Sequence, residues 1–146
     1  MIRAVLDSSV LVSGFLTPGG TSDRLLSEVE RGAFVLCLSQ EILEETSRTL
    51  RKKTRRIRRY YVYPDEKIDQ FAASLASLAV LVDRLPQIRV VPLDHNDDMI
   101  VATAIAAQAD YLVSGDRHLL SLGAYERIRI VTPRQFIDLL AGSGVG

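Results

Sequence analysis

A chain of 146 residues, 47% hydrophobic and 25% charged, carries enough apolar material for one compact core and too little length for two. Its 18 basic and 18 acidic side chains cancel, so the molecule as a whole is not a general polyanion binder. One cysteine excludes an internal disulfide framework, and two histidines, His95 and His118, exclude a zinc-type cluster. Neither a signal peptide nor a membrane-spanning run follows Met1, so a cytoplasmic location with no membrane partner is expected.

Ile2 to Leu6 is an apolar run broken only by Arg3, as expected of a buried parallel strand, and it stops at Asp7. Val10, Leu11, Val12, Phe15 and Leu16 then form a core or partner-facing helical stretch. After the loop Thr17-Pro18-Gly19-Gly20, Thr21 or Ser22 caps a helix that runs to about Arg31, with Gly32 as its stop. Phe34 to Leu38 is the second strand and holds Cys37, a buried structural thiol. Ser39 follows as an N-cap, and Gln40 begins a helix with acidic residues in its first turns, where the macrodipole favours them. Glu45 falls on the flank of that helix.

Residues 51–59 hold seven of the chain's 18 basic residues, and Tyr60, Tyr61 and Tyr63 follow. Pro64-Asp65-Glu66 restarts a helix to about Leu78; Ala79 to Val82 reads as a short strand, and Arg89 to Val91 as an extended piece. Asp94-His95-Asn96-Asp97-Asp98 opens an alanine-rich helix, which gives way to the strand Tyr111 to Val113, ending at Ser114-Gly115-Asp116. A short helix over Arg117 to Leu122, a strand from Ile128 to Val131 and a helix from Pro133 to Leu140 complete the chain. Together these make one domain over residues 1–141 and a flexible tail over residues 142–146.

Strands alternate with helices throughout, which specifies an α/β fold with a mainly parallel sheet. In such a sheet Asp7 and Asp116, each ending a strand, share the edge where ligands bind. Asp97 and Asp98 open the helix before the second of those strands, and Glu45 lies on the same side. Crowded carboxylates repel and raise one another's pKa unless a cation joins them. All-oxygen ligation points to magnesium or manganese, and such ions suit phosphoryl chemistry. Any one of these acids alone is more often a cap or turn former, whereas four from separate elements on one edge favour the functional reading.

Four segments carry a family resemblance: Val5-Leu6-Asp7-Ser8-Ser9-Val10-Leu11-Val12, Leu38-Ser39-Gln40-Glu41-Ile42-Leu43-Glu44-Glu45, Asp97-Asp98-Met99-Ile100-Val101-Ala102-Thr103-Ala104 and Ala109-Asp110-Tyr111-Leu112-Val113-Ser114-Gly115-Asp116. In their order and over nearly the whole length, the chain resembles a PIN-domain protein. It is most like the bacterial and archaeal PIN-family toxin components related to VapC ribonucleases. The resemblance implies a three-layer α/β/α domain and a metal-dependent endoribonuclease acting on single-stranded RNA. It also implies Mg2+ or Mn2+ held by Asp7, Glu45, Asp97 and Asp116, a possible antitoxin partner, and a homo-oligomer, dimeric or higher. Ser114 matches the small hydroxyl residue that usually precedes the last acid. Asp98 supports Asp97, and Glu44 replaces Glu45 if the helix register shifts by one. Two departures stand out: Ser9 where many members have asparagine, which retunes the site, and His118 where many carry a further acid.

Arg51, Lys52, Lys53, Arg55, Arg56, Arg58 and Arg59, with the tyrosines behind them, fit contact with an RNA backbone; a solvated helix end or a loop is the plainer explanation. His118 reads as a surface or supporting residue, and Asp94 and Asp110 as structural residues that serve as controls for Asp97 and Asp116. An aspartyl-phosphate enzyme would need a late lysine or a second aspartate at position 9, and neither is present. The remaining alternatives are an RNA-processing PIN nuclease without an antitoxin, and a non-catalytic domain that binds RNA or protein.

Overall fold

The structure, a computed structural model, describes residues 1–57, 65–90 and 94–143. In chain order the elements are β1 (Arg3–Leu6), α1 (Ser8–Leu16), α2 (Thr21–Glu30), β2 (Val35–Ser39), α3 (Gln40–Ile57), α4 (Asp65–Leu78) and β3 (Val80–Val82). There follow α5 (His95–Ala106), β4 (Tyr111–Val113), α6 (Arg117–Leu122), β5 (Ala124–Tyr125), β6 (Ile128–Val131) and α7 (Pro133–Ser143). The six-stranded sheet has the order β3-β2-β1-β4-β6-β5, parallel except for β5, with helices packed on its faces in a three-layer α/β/α arrangement. Among the described residues no helix is long and apolar enough to cross a membrane.

The strand order positions the site. From β1 the chain builds outward through β2 to β3, then returns across the sheet to place β4 on the other side of β1. Connections therefore leave β1 and β4 in opposite directions, and a crevice opens above their carboxyl ends. Leu6 is in register with Val113, and the Asp7 backbone N–H donates to the Val113 carbonyl (3.0 Å). The two strands thus deliver Asp7 and Ser114 side by side.

The strand interiors are as apolar as their doubly covered position demands: Val5, Leu6, Leu36, Leu38, Leu112 and Val113 are all buried. Each such large side chain contributes roughly 1.5–3 kcal/mol of burial energy. Phe136 of α7 closes the core edge-on against Phe34 (5.0 Å between ring centres). A second, smaller cluster of Val12, Leu50 and Ile68, with Phe15, Leu16 and Phe71 against it, ties α1 to α3 and α4. Phe15 and Phe71 meet at 5.1 Å between ring centres. Beside them Arg51 pairs with Asp65 (3.1 Å) and Asp69. These contacts anchor the long helix that carries Glu45.

Several boundaries differ from the sequence reading. β2 is displaced by one residue and includes Ser39, which still caps: its Oγ accepts from the Ile42 N–H (3.3 Å). Arg89 and Val90 form no strand; Val90 is held instead by a hydrogen bond from its N–H to Asp98 Oδ1 (2.9 Å), and Val91 lies outside the described residues. The two-residue strand β5 is too short for a hydrophobic period to reveal, and it turns back on β6 through Glu126, at φ 52°. α7 continues through Gly142 to Ser143, so those two residues are helical rather than part of a loose tail. Cys37 is buried, as its apolar run requires.

Candidate active site

Asp7 ends β1 and caps α1. Its backbone is extended (φ −74°, ψ 171°), and Oδ1 accepts from the Val10 N–H (3.0 Å) and the Ser9 hydroxyl (2.6 Å). The Ser114 hydroxyl donates to Oδ2 and in turn accepts from the Asp116 N–H (2.9 Å). Every oxygen of Asp7 is therefore held by a fixed donor. Only 1% of the residue is exposed, and burial raises its pKa against the pull of those hydrogen bonds.

Asp116 caps α6, its Oδ1 accepting from the N–H groups of His118 (2.7 Å) and Leu119 (3.3 Å). Its Oδ2 takes no hydrogen bond from a described residue, and Asp116 lines the cavity. Asp97 sits in the first turn of α5, 7% exposed. Burial pushes its pKa up to about 6, with Asp116, Asp94 and Asp7 adding repulsion and His118 opposing them. Glu45, on α3, has its pKa raised by burial, then by Asp7 and Asp94, against the pull of Arg48 and of a hydrogen bond from Ser8. Its Oε2 is buried with no hydrogen-bond partner among the described residues.

These four acids come from four separate elements and line one cavity of about 300 Å³. Glu44 does not join them: it is exposed on the other flank of α3, where its Oε1 accepts from Gln40 (3.4 Å). Asp98 does not support Asp97. It turns the opposite way, pairing with Arg89 (3.0 Å) and accepting from Val90, so it pins the segment before α5. Adjacent helical residues point about 100° apart, and only one of the two can face the cavity.

Of the five described basic residues of this run, Lys53 alone lines the cavity; Lys52, Arg55 and Arg56 are exposed along α3. Arg51 is committed to Asp65 and Asp69, a structural clamp rather than a free RNA contact. Arg58, Arg59 and the three tyrosines lie outside the described residues. His118 is exposed and close enough to act on Asp97.

Asp94 is more than a structural cap. It caps α5 by accepting from the Asp97 N–H (2.9 Å), and it also lines the cavity and repels both Asp97 and Glu45. Ser8, Thr49 and Asn96 line it as well, none of them singled out by the sequence reading. The signal for Thr49 and Lys53 was their spacing of one and two turns after Glu45. A wider hollow of about 640 Å³ opens at the other end of the sheet, beside Asp110, Glu126 and Arg127. It holds no buried acid, so chemistry rather than size favours the smaller cavity.

Among the described residues no three acids stand as a finished coordination shell. The donor set nonetheless fits a divalent cation. It is all oxygen, it is repulsive without a positive charge, and Glu45 Oε2 is an unpartnered buried acceptor.

A family model described as a PIN domain matches residues 3–118. An uncharacterized protein of Methanocaldococcus jannaschii, MJ1680, is 25% identical over 94% of this chain and 90% of its own length. Among solved structures, PAE2754 from Pyrobaculum aerophilum is similar with a TM-score of 0.67 at 15% identity, covering 97% of this chain and 90% of that one. VapBC2 from Rickettsia felis, bound to a DNA fragment from its promoter, is similar with a TM-score of 0.60 at 13% identity, covering 90% of this chain and 98% of that one.

Proposed function

The chain belongs to the PIN-domain family, whose members are generally nucleases, and from that premise we propose a divalent-metal-dependent endoribonuclease that cleaves single-stranded RNA. The observation that carries this reading is the buried, unpartnered Glu45 Oε2 in a cavity shared with Asp7, Asp97 and Asp116. These four side chains would hold Mg2+ or Mn2+. Such an ion supplies Lewis acidity, lowering the pKa of an attacking water and stabilising the leaving oxygen at phosphorus.

The chain's own contribution is preorganisation. Ser9, Ser114 and the Val10 N–H fix the Asp7 carboxylate, so its geometry is not rebuilt at each turnover. Capping of α6 fixes one oxygen of Asp116 and leaves the other without a hydrogen bond from a described residue. Burial and the neighbouring carboxylates hold the Asp97 pKa at about 6, so positive charge in the cavity would bring it down.

The likeness to VapBC2, described on DNA from its promoter, supports a toxin role with an antitoxin partner. A cytoplasmic homo-oligomer belongs to the same reading. The test is cleavage of single-stranded RNA with Mg2+ or Mn2+, wild type against Asp97→Asn. Metal-dependent cleavage lost in the variant supports it. Equal inertness with RNA binding intact would instead establish a non-catalytic binding domain.

A further inference from the structure

RNA brings negative charge to a cavity that already holds five carboxylates, so something must receive the phosphates that are not being cleaved. Lys53 is the one cation among the described residues that line the cavity. It stands two helical turns after Glu45, about 12 Å along the axis. Helical side chains lean toward the N-terminus, which carries the Lys53 ammonium back toward the acids. It forms no ion pair with any described carboxylate, whereas Arg51, two residues earlier, is fully engaged by Asp65 and Asp69. Thr49 lies between Glu45 and Lys53 on the same stripe and offers a hydroxyl. Acids at one end, an unpaired ammonium at the other and a neutral donor between them match two successive phosphates of one strand.

We propose that Lys53 seats the RNA phosphate adjacent to the scissile one, so that it sets the register of the strand across the acid cavity. This rests on the ribonuclease reading. Lys53 acts as a positioning residue, and its effect falls on one linkage of the substrate rather than on binding in general.

The experiment uses single-stranded RNA with one cleavage site and a neutral methylphosphonate placed at the linkage on its 5′ side, on its 3′ side, or at neither. Wild type should lose roughly tenfold in kcat/KM with the neutral linkage on one side only. K53Q should lose the same factor on unmodified RNA and nothing further when that linkage is neutral. Its salt dependence should flatten by about one phosphate contact. K52Q and R55Q, on the same helix outside the cavity, should keep the one-sided sensitivity. Lys53 is exposed, and an unchanged circular dichroism spectrum confirms that the variant is folded. If K53Q retains the one-sided loss, or wild type tolerates neutral linkages on both sides, this inference fails while the ribonuclease reading survives. If wild type cleaves no RNA with either metal, both fail together.

Discussion

At the amino end of β4, Asp110 is exposed and its Oδ2 accepts from the Arg3 N–H (2.8 Å), which locks β4 to β1. At the carboxyl end of the same strand, Asp116 caps a helix and adds to the repulsion on Asp7 and Asp97. Both positions border a hollow, and the larger hollow is the one beside Asp110. What separates them is convergence. Four acids from four elements are brought together at one end, Asp7 and Asp97 buried and Glu45 and Asp116 half-buried, while Asp110 and Glu126 at the other end are exposed. Burial and crowding, not the residue type, make a carboxylate costly enough to need a ligand.

The largest test of this contrast is catalytic. Asp97→Asn and Asp116→Asn should each cost on the order of 100-fold or more in RNA cleavage, whereas Asp110→Asn should leave cleavage unchanged. A comparable loss in Asp110→Asn would erase the distinction between the two ends.

The second test is pH. The folded pKa of Asp97, about 6, stands above its ordinary 3.8, so between those values the folded protein keeps a proton that the unfolded chain has released. Asp7 and Glu45 are shifted in the same direction. Metal-free stability from this source is complete below about pH 4 and is lost as pH rises through about 6, by up to about 3 kcal/mol for Asp97. Thermal melts in chelator should therefore show Asp97→Asn more stable than wild type at pH 7 and level with it near pH 4. Added Mg2+ should raise the wild-type Tm at pH 7 and have little effect on the variant.

Ser114→Ala strands Asp7 Oδ2 and the Asp116 N–H at once and should cost about 1–3 kcal/mol, together with a fall in kcat. Asp98→Ala should destabilise by a similar or smaller amount, since it leaves the Val90 N–H unpaired, but without a specific loss of activity. Denaturant midpoints paired with cleavage rates separate Asp98, which acts on stability alone, from Ser114 and Asp97. The smallest effect belongs to Arg51→Ala. Its partners are largely exposed, and the variant should lose less than about 1 kcal/mol while its RNA affinity at low salt is retained.

The element order was legible in the residues because strands, caps and turns are local. An apolar run ending in aspartate, a serine before an acidic first turn and a glycine stop each report a conformation decided within a few residues. The identities of Asp7, Glu45, Asp97 and Asp116 as cavity acids followed from such punctuation and from the family resemblance. Where the reading drifted, the cause was not local. Helical periodicity shows which face is apolar, but it does not say which of two adjacent polar residues meets a strand far away in sequence. Placing β4 beside β1 decided that Asp97 faces the cavity and Asp98 the Arg89 segment. The seating of α3 on α1 and α4 decided that Glu45 enters and Glu44 does not, and that Arg51 is a clamp while Lys53 reaches the acids. The cap Asp94 joined the site for the same reason: its hydrogen bond to Asp97 is local, but the cavity that it borders exists only once β1, α3 and α6 have come together.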